Sequence, residues 1–458
     1  MRDIGLVAFL TLLLALGFRR PFLFVLAYAY VDIVSPHRLS YYMLNSIPVS
    51  LICFLLAVGG WAVSDSKKDF HIAPRQWLLI ILLIWAGYTT MTADLYSYAL
   101  EKWDWVWKAL LFAIFLPFTL RTKLRIESLL VFMVISAASI IIVGGIKTLG
   151  SGGGYGTLNL LIESNTGLYE GSTISTVAVA IIPLILYLGK YGTIFPPDKR
   201  VRLFCAALVF ACLLIPIGTV ARTGLICIAV LGALTLRATK KRMLYLTMMG
   251  IGGLIAIPLL PQSYTSRMNT IEGYQADTSA STRLAVWAWT WDYVKEHPFG
   301  GGFEAYRQNQ LVIQMQQTSG TDSNSAITTS TSTDRARAYH SSYFEMLGEQ
   351  GFPGFGLWIL LHLSGLIAME KLRRRFIKST GDEEWISPLA TALQNGQIVY
   401  MVGSLFVGIA FQPFVFMLLG VQIALVEYVR QKDKRATRHE MARQYGGSGP
   451  GVVVGAAG

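Results

Sequence analysis

Residues 126–146 read IESLLVFMVISAASIIIVGGI, an almost uninterrupted apolar run. A helix of this length crosses a hydrocarbon core of about 30 Å, because each residue advances the helix by about 1.5 Å. Arg121, Lys123 and Arg125 precede the run, and basic residues concentrate on the cytoplasmic side of membrane spans. The stretch therefore predicts a transmembrane helix, and similar runs recur along most of the chain.

The composition of the whole chain fits the same environment. Of its 458 residues, 53% are hydrophobic and only 14% are charged, with a mean hydropathy of +0.49. We predict an all-α, polytopic membrane protein of about 12–13 transmembrane helices, with one long loop outside the membrane that contains helices. The predicted spans are residues 3–18, 21–34, 45–63, 76–92, 104–120, 126–146, 172–188, 201–218, 224–236, 243–260, 346–369, 391–411 and 414–429.

The net charge of +12 is divided among short basic clusters between the apolar runs. A nucleic-acid-binding protein would gather these residues on one surface, so we expect the lipid bilayer and no nucleic acid as a partner. By the positive-inside rule the clusters mark cytoplasmic loops, which places the loop 261–341 on the opposite side.

No pattern in the sequence indicates a disulfide, a metal or a nucleotide. The four cysteines lie within apolar runs, and no His, Cys or carboxylate spacing resembles a metal site. No glycine-rich segment has the pattern of a phosphate-binding loop, and the glycines at 300–302 are typical of a turn. We therefore expect no metal and no cofactor.

The loop 261–341 is the only polar stretch long enough to fold by itself. Residues 281–297 within it read STRLAVWAWTWDYVKEH and predict an amphipathic helix, with Ser281 as its cap and HPFGGG as its end. Its tryptophans would lie against the membrane surface or the rest of the protein. The residues at helical spacing on that face are Leu284, Trp287, Trp291 and Val294.

Two other segments lack the pattern of a packed element. Residues 318–333, TSGTDSNSAITTSTST, are rich in Ser and Thr and predict a mobile linker or, alternatively, a substrate gate. Residues 431–458 predict a cytoplasmic tail that is unstructured after Tyr445.

Basic residues on the side opposite the cytoplasmic clusters need a separate explanation. Arg222 stands alone between two apolar spans, and Arg283 lies at the start of the loop helix. A guanidinium at the membrane surface binds phosphate or diphosphate through paired hydrogen bonds. The alternatives are that Arg222 reaches lipid headgroups and that Arg283 lies on a solvated helix face.

His340 is the third candidate. It precedes SSYFE, in which Ser342 and Glu345 have the spacing of a capping box that starts the next span. A helix N-terminus disfavours the imidazolium form, so the ring would be neutral, as a general base must be. The alternative is a loop histidine without a role.

Three segments resemble the O-antigen ligase family, whose superfamily acts on undecaprenyl-diphosphate-linked glycans. They are ART at 221–223, the arginine-led loop helix with HPFGGGF at 297–303, and YHSSYFEMLGEQGFPGFGLW at 339–358. The N-terminal third, with RRPF and SPHRL, resembles the O-glycosylation ligases associated with exosortase A systems. Ser341 departs from the family pattern, because many members have Asn after the histidine.

The resemblance implies an enzyme of the bacterial inner membrane that acts in lipopolysaccharide biosynthesis. Residues 1–120 would be N-terminal transmembrane helices and residues 121–430 the ligase core, which includes the periplasmic loop 261–341. The enzyme would transfer an O-antigen-like glycan from undecaprenyl diphosphate to an acceptor hydroxyl on lipid A core or on protein.

The resemblance also implies roles for the three candidate residues. His340 would be the general base, and Arg222 and Arg283 would be catalytic residues that hold the diphosphate, so that no metal is required. A single displacement would invert the anomeric centre.

Other functions stay open on the sequence alone. A glycan polymerase or a protein O-oligosaccharyltransferase of the same superfamily would carry the same motifs. A transporter or flippase belongs to a different class and would show ionisable residues near the bilayer midplane and repeated halves. The sequence has few mid-span charges and no detectable repeat, but a transporter, a receptor and a scaffold are all retained as alternatives.

Overall fold

The computed structural model describes residues 2–40, 42–67, 70–150, 168–238, 242–244, 247, 278–319 and 326–446. Helices dominate these ranges. Before the polar loop they are α1 (Arg2–Arg19), α2 (Phe22–Val34), α3 (Pro36–Leu39), α4 (Val49–Ser64), α5 (Pro74–Met91), α6 (Tyr96–Thr119), α7 (Lys123–Gly150), α8 (Gly171–Tyr191), α9 (Lys199–Gly218) and α10 (Arg222–Ala238).

The remaining elements begin within the polar loop. They are α11 (Thr278–Glu296), a 3₁₀ turn (Ala305–Gln308), β1 (Gln310–Ser319), β2 (Ala326–Arg335), α12 (Ser342–Phe376), a second 3₁₀ turn (Gly381–Glu383), α13 (Ile386–Gly403) and α14 (Pro413–Gly446).

Five helices within the described ranges are long and apolar enough to cross a membrane: α7, α8, α9, α12 and the part of α14 over Pro413–Arg438. The helices α2 and α4 are apolar but shorter. The protein is thus an all-α, polytopic membrane protein, as its sequence predicts. The predicted span at 243–260 lies almost entirely outside the described residues.

The helix α8 packs on α9, α10 and α13 and is buried along most of its length. Its approach to α13 is close, because a Cβ added to Gly396 would lie 2.7 Å from the Ala180 carbonyl oxygen. Small residues at helix contacts in membranes permit such approach, and dispersion contacts then hold the helices together. The helix α12 packs between α13 and α5, while α6 packs on α14.

Two helices begin earlier than the sequence predicts. The helix α6 starts at Tyr96 and not near residue 104, and Lys102 in the added turns pairs with Glu345. The helix α11 starts at Thr278, so Ser281 lies inside it and is not its cap. Hydropathy alone does not detect polar helical turns of this kind.

Two helix ends also differ from the prediction. The helix α13 ends at Gly403 and not near residue 411, and residues 404–412 are irregular. The helix α14 continues to Gly446 instead of ending near residue 429. Its charged extension contains no proline, and its glycine comes only at the end, so helix propensity favours continuation.

The buried face of α11 differs from the predicted one. Val286, Thr290 and Val294 are fully buried, whereas Leu284 and Trp291 are 56% and 49% exposed. The helix packs on α12 and β1, which cover a stripe at i, i+4 and i+8. Of the predicted face, Val294 is fully buried, whereas the buried stripe as a whole is displaced around the helix.

Two paired β-strands lie in the segment between α11 and α12. The strands β1 and β2 pair antiparallel, from Gln310 opposite Arg335 to Ser319 opposite Ala326. The expectation that residues 318–333 lack a regular element is therefore wrong for 318–319 and 326–333, while 320–325 lie outside the described residues. Threonine is β-branched and favours strands, which accounts for a strand in a segment rich in Ser and Thr.

Candidate functional site

The helix α12 is interrupted about two and a half turns after it begins. Gly351 has φ +64° and ψ −171°, which no α-helix allows. The carbonyl oxygens of Gly348 and Glu349 accept hydrogen bonds from the backbone N–H groups of Gly301 and Gly302, each 3.0 Å long. The loop that follows α11 thus satisfies backbone groups at the break.

This loop approaches the break more closely than a side chain would allow. Gly300 and Gly302 have φ of +84° and +80°. A Cβ at Gly300 would lie 2.5 Å from the Glu349 carbonyl oxygen, and one at Gly351 would collide with the Pro298 carbonyl oxygen. The glycines are therefore required for backbone contact with α12, and their description as a simple turn was incomplete.

The predicted capping box at the start of α12 does not form. Ser341 is the cap residue, and its side chain makes no capping hydrogen bond. The buried Ser342 Oγ instead donates to the Val407 carbonyl oxygen and accepts from the Ile409 N–H, both at 2.9 Å. Irregular backbone that is buried requires such partners, and Ser342 supplies them within residues 404–412.

A buried cluster of charged side chains lies beside the first turns of α12 and joins four segments of the chain. Lys102 Nζ lies 2.6 Å from Glu345 Oε1 and 2.8 Å from Glu349 Oε2, with side-chain exposures of 11%, 6% and 0%. Glu345 also accepts from the Ala410 N–H, and Glu349 accepts from the Glu304 N–H, each at 3.0 Å. Sequence reasoning missed this cluster because no local motif relates α6 to α12.

His340 lies two residues before α12 in a left-handed backbone conformation, with φ +47°. Non-glycine residues rarely adopt this conformation, and such backbone strain is concentrated at functional sites. The preceding carbonyl of Tyr339 accepts a 2.8 Å hydrogen bond from Trp287 Nε1, and the Trp287 ring stacks on Phe344. The helix α11 thereby fixes the backbone on both sides of His340.

The pKa of His340 is lowered from its ordinary value, chiefly by burial and next by the positive charge of Arg283. Arg337 lowers this pKa further, and Glu170 opposes the shift. The neutral imidazole is therefore favoured, as a general base requires. Desolvation and nearby cations lower this pKa, in the same direction as the effect expected of a helix N-terminus.

The structure brings Arg283 within electrostatic range of His340. Arg222 begins α10, directly after a turn in which Val220 has φ +52°. A Cβ added to Gly171, at the start of α8, would lie 3.3 Å from Thr219 Cβ in that same turn. Because Glu170 precedes Gly171 and acts on His340, Arg222 lies at the same end of the helices as His340.

A cavity of about 1550 Å³ opens beside His340. Arg222 and Arg283 are not among the described residues that line it. In the described ranges, no group of three or more His, Cys, Asp or Glu side chains is arranged to hold a metal ion. The charged residues that line the cavity are Arg38, Glu101, Lys102, Asp104, Lys108, Glu304, Arg307, Glu345 and Glu349.

Comparison with known families divides the chain into two parts. Residues 1–193 match a family of unknown function (DUF5935), and residues 206–359 match the family described as O-Antigen ligase. No curated protein matches the sequence significantly. The second match contains Arg222, Arg283 and His340, and it supports a glycan ligase or polymerase type of function. The protein is a multi-pass membrane protein whose residues 206–359 are similar to the O-antigen ligase family.

Proposed function

We propose that the protein transfers an O-antigen-like glycan from undecaprenyl diphosphate to an acceptor hydroxyl on lipid A core oligosaccharide. The reaction takes place at the periplasmic face of the bacterial inner membrane. The main support is one spatial relationship: the neutral ring of His340 borders a large cavity and lies within electrostatic range of Arg283. A base and a cation are the two groups that this transfer needs.

The base acts on the acceptor. One ring nitrogen of His340 takes the proton of the acceptor hydroxyl as that oxygen bonds to the anomeric carbon. The bond between the anomeric carbon and the diphosphate oxygen breaks in the same step, and undecaprenyl diphosphate leaves with the electron pair. Attack opposite the leaving group inverts the anomeric centre, and no covalent intermediate forms.

The two arginines act on the donor. The guanidiniums of Arg222 and Arg283 hold the diphosphate oxygens and stabilise the negative charge that grows as the bond breaks. Two cations on a leaving group that is already stable make a metal unnecessary in this mechanism. Arg283 has a second effect, because its charge adds to burial in lowering the pKa of His340 and so favours the neutral ring. The same residue thus prepares both the base and the leaving group.

A second superfamily reaction has its own support. The N-terminal segments RRPF and SPHRL resemble O-glycosylation ligases of exosortase A systems, which favours a Ser or Thr hydroxyl on protein as the acceptor. A glycan polymerase would use the end of another lipid-linked glycan as its acceptor. The base and the arginines have the same roles in all three reactions, so the products distinguish them.

The experiment uses the purified full chain in lipid nanodiscs with a labelled undecaprenyl-diphosphate-linked glycan and EDTA. Three reactions are compared. The first contains lipid A core as acceptor, the second a Ser- and Thr-containing peptide, and the third only the donor, which can then serve as its own acceptor. We expect stoichiometric release of undecaprenyl diphosphate and one glycan transferred to lipid A core. A ladder of longer chains on the carrier would establish a polymerase, and glycosylated peptide an O-oligosaccharyltransferase. If undecaprenyl diphosphate is released in none of the reactions, the proposal is wrong. If the protein is active without EDTA but inactive with it, the metal-free part of the proposal is wrong.

A further inference from the structure

The cavity beside His340 lies between the two family regions. One side is formed by residues within 37–51 and 98–108, inside the match to the family of unknown function. The other side includes residues within 304–307 and 338–349, inside the O-antigen ligase match. Its volume of about 1550 Å³ exceeds the range of about 300–1,000 Å³ that is usual for small-molecule sites. A ligand of several sugar units is of the appropriate size.

Positively and negatively charged side chains alternate on the N-terminal side of the cavity. Lys108 Nζ lies 3.1 Å from Asp104 Oδ2, and Arg38 interacts electrostatically with Glu101 and Asp104. Guanidinium and ammonium groups only donate hydrogen bonds, and carboxylates only accept them. A sugar hydroxyl does both, so this surface suits a hydroxyl-rich ligand better than one of fixed charge.

Neutral polar groups and aromatic rings complete this side. Asn45 and Ser46 add further donors and acceptors, while Trp105 and Trp107 present rings whose apolar surfaces can pack on the faces of sugars. Burial, followed by the charge of Arg38 and that of Lys108, lowers the pKa of His37 to about 4, so its ring is also neutral. Charged and polar side chains predominate among the described residues that line the cavity, which suits sugars better than a lipid tail.

The position of His340 indicates which substrate occupies the cavity. A general base must contact the attacking hydroxyl, which belongs to the acceptor. His340 lines the cavity, whereas Arg222 and Arg283, the proposed diphosphate ligands, are not among its described lining residues. The cavity therefore lies on the acceptor side of the base, and the donor approaches from the side of the arginines.

We propose that the N-terminal region selects the acceptor: Arg38, Glu101, Asp104, Trp105 and Lys108 bind the hydroxyl-rich sugars of an acceptor glycan whose attacking hydroxyl reaches His340. This inference rests on the proposed transferase function. It assigns to residues 37–108 a role in specificity that is separate from the base and the diphosphate ligands. Acceptor affinity and donor affinity should consequently respond to different substitutions.

The test compares Asp104→Asn and Trp105→Ala with a matched control, Asp292→Asn. Asp104 and Asp292 are 73% and 75% exposed, and each pairs with a lysine on its own helix, but Asp292 is not among the lining residues. The purified full chain is given labelled undecaprenyl-diphosphate-linked glycan and delipidated core oligosaccharide. We expect the KM for the core oligosaccharide to rise about tenfold or more in both cavity variants, with the donor KM unchanged.

The control should leave both KM values unchanged. Unaltered acceptor KM in both cavity variants, or a rise in donor KM alone, would overturn the inference. Direct binding of the core oligosaccharide is measured by calorimetry in parallel. If wild type binds this glycan and the cavity variants bind it weakly, but no transfer occurs, the acceptor site stands and the proposed reaction fails. If wild type neither binds nor transfers, both fail.

Discussion

Lys102 Nζ lies 2.6 Å from Glu345 Oε1, although the two residues are 243 positions apart in the sequence. The contact joins α6 of the N-terminal region to the first turn of α12, five residues after His340. Lys102 also contacts Glu349 one turn later, immediately before the break at Gly351. The N-terminal helices are therefore attached directly to the segment that carries the proposed base.

Replacement of Lys102 by Met should destabilise the protein strongly. It would leave two buried carboxylates without their cation, and loss of one partner of a buried ion pair costs about 3–5 kcal/mol. We expect a large fall in the apparent Tm of the purified protein in detergent. The control is Lys295→Met, which removes a lysine paired with the exposed Asp292 and should change the stability by less than about 1 kcal/mol.

A compensating variant distinguishes charge pairing from packing. Glu345→Gln and Glu349→Gln, added to Lys102→Met, remove the unpaired charges and should recover much of the lost stability. If Lys102→Met alone has the same apparent Tm as wild type, the ion cluster does not hold α6 against α12.

Gly351→Ala should prevent correct assembly of α12 with the loop after α11. The positive φ disfavours any Cβ, and the added atom would meet the Pro298 carbonyl. We expect a loss of at least about 2 kcal/mol, seen as a lower apparent Tm or poor recovery of monodisperse protein. Gly356→Ala in the same helix has open space around its Cβ and an ordinary φ, so it should be neutral or slightly stabilising. Equal behaviour of the two variants would contradict the close packing described at the break.

Ser342→Ala should weaken the contact between the start of α12 and residues 404–412. The hydroxyl bridges the Val407 carbonyl and the Ile409 N–H, which would keep only their 3.1 Å hydrogen bond to each other, so we expect a cost of about 1 kcal/mol. The control Ser364→Ala removes a hydroxyl that bonds only within its own helix turn. Hydrogen exchange at residues 404–412 should increase in Ser342→Ala alone. Unchanged exchange there would show that other contacts hold this segment.

The helices could be predicted from the sequence because a sufficiently long run of apolar residues indicates, without any other information, a helix that crosses the membrane or is buried. The contacts that build the site could not, since they join distant segments: the ion cluster of Lys102, the two bonds of Ser342 and the glycines that meet at Gly351. A capping box was the best local interpretation of Ser342 and Glu345, but tertiary contacts took both side chains. Arg283 became a candidate because it is a basic residue opposite the cytoplasmic clusters, and His340 because it precedes a helix start. Their electrostatic proximity is visible only in three dimensions.

The pH dependence of transfer should reflect the environment of His340. Because the pKa of His340 is lowered, the neutral base persists as the pH falls, and the acid limb of kcat/KM should lie below about 6.5, the ordinary imidazole value. Arg283→Gln removes a cation that lowers this pKa, so its acid limb should move to higher pH, whatever its absolute rate.

The exposed Arg335 provides the control for this shift, since Arg335→Gln should leave the acid limb of the kcat/KM profile at the pH of wild type. A limb that stays fixed in Arg283→Gln, or moves to lower pH, would show that the titrating group is not His340.

The most direct test of the mechanism is the rate of glycan transfer by His340→Asn and His340→Ala in nanodiscs, with a labelled undecaprenyl-diphosphate-linked glycan and EDTA. Asn tolerates the left-handed backbone of this position but cannot act as the base, so the pair separates chemistry from strain. His71→Asn, an exposed histidine before α5, is the control. We predict that both His340 variants keep their apparent Tm within a few degrees and lose about 100-fold or more in kcat, while His71→Asn matches wild type. Well-folded His340 variants that transfer glycan at the wild-type rate would contradict the mechanism.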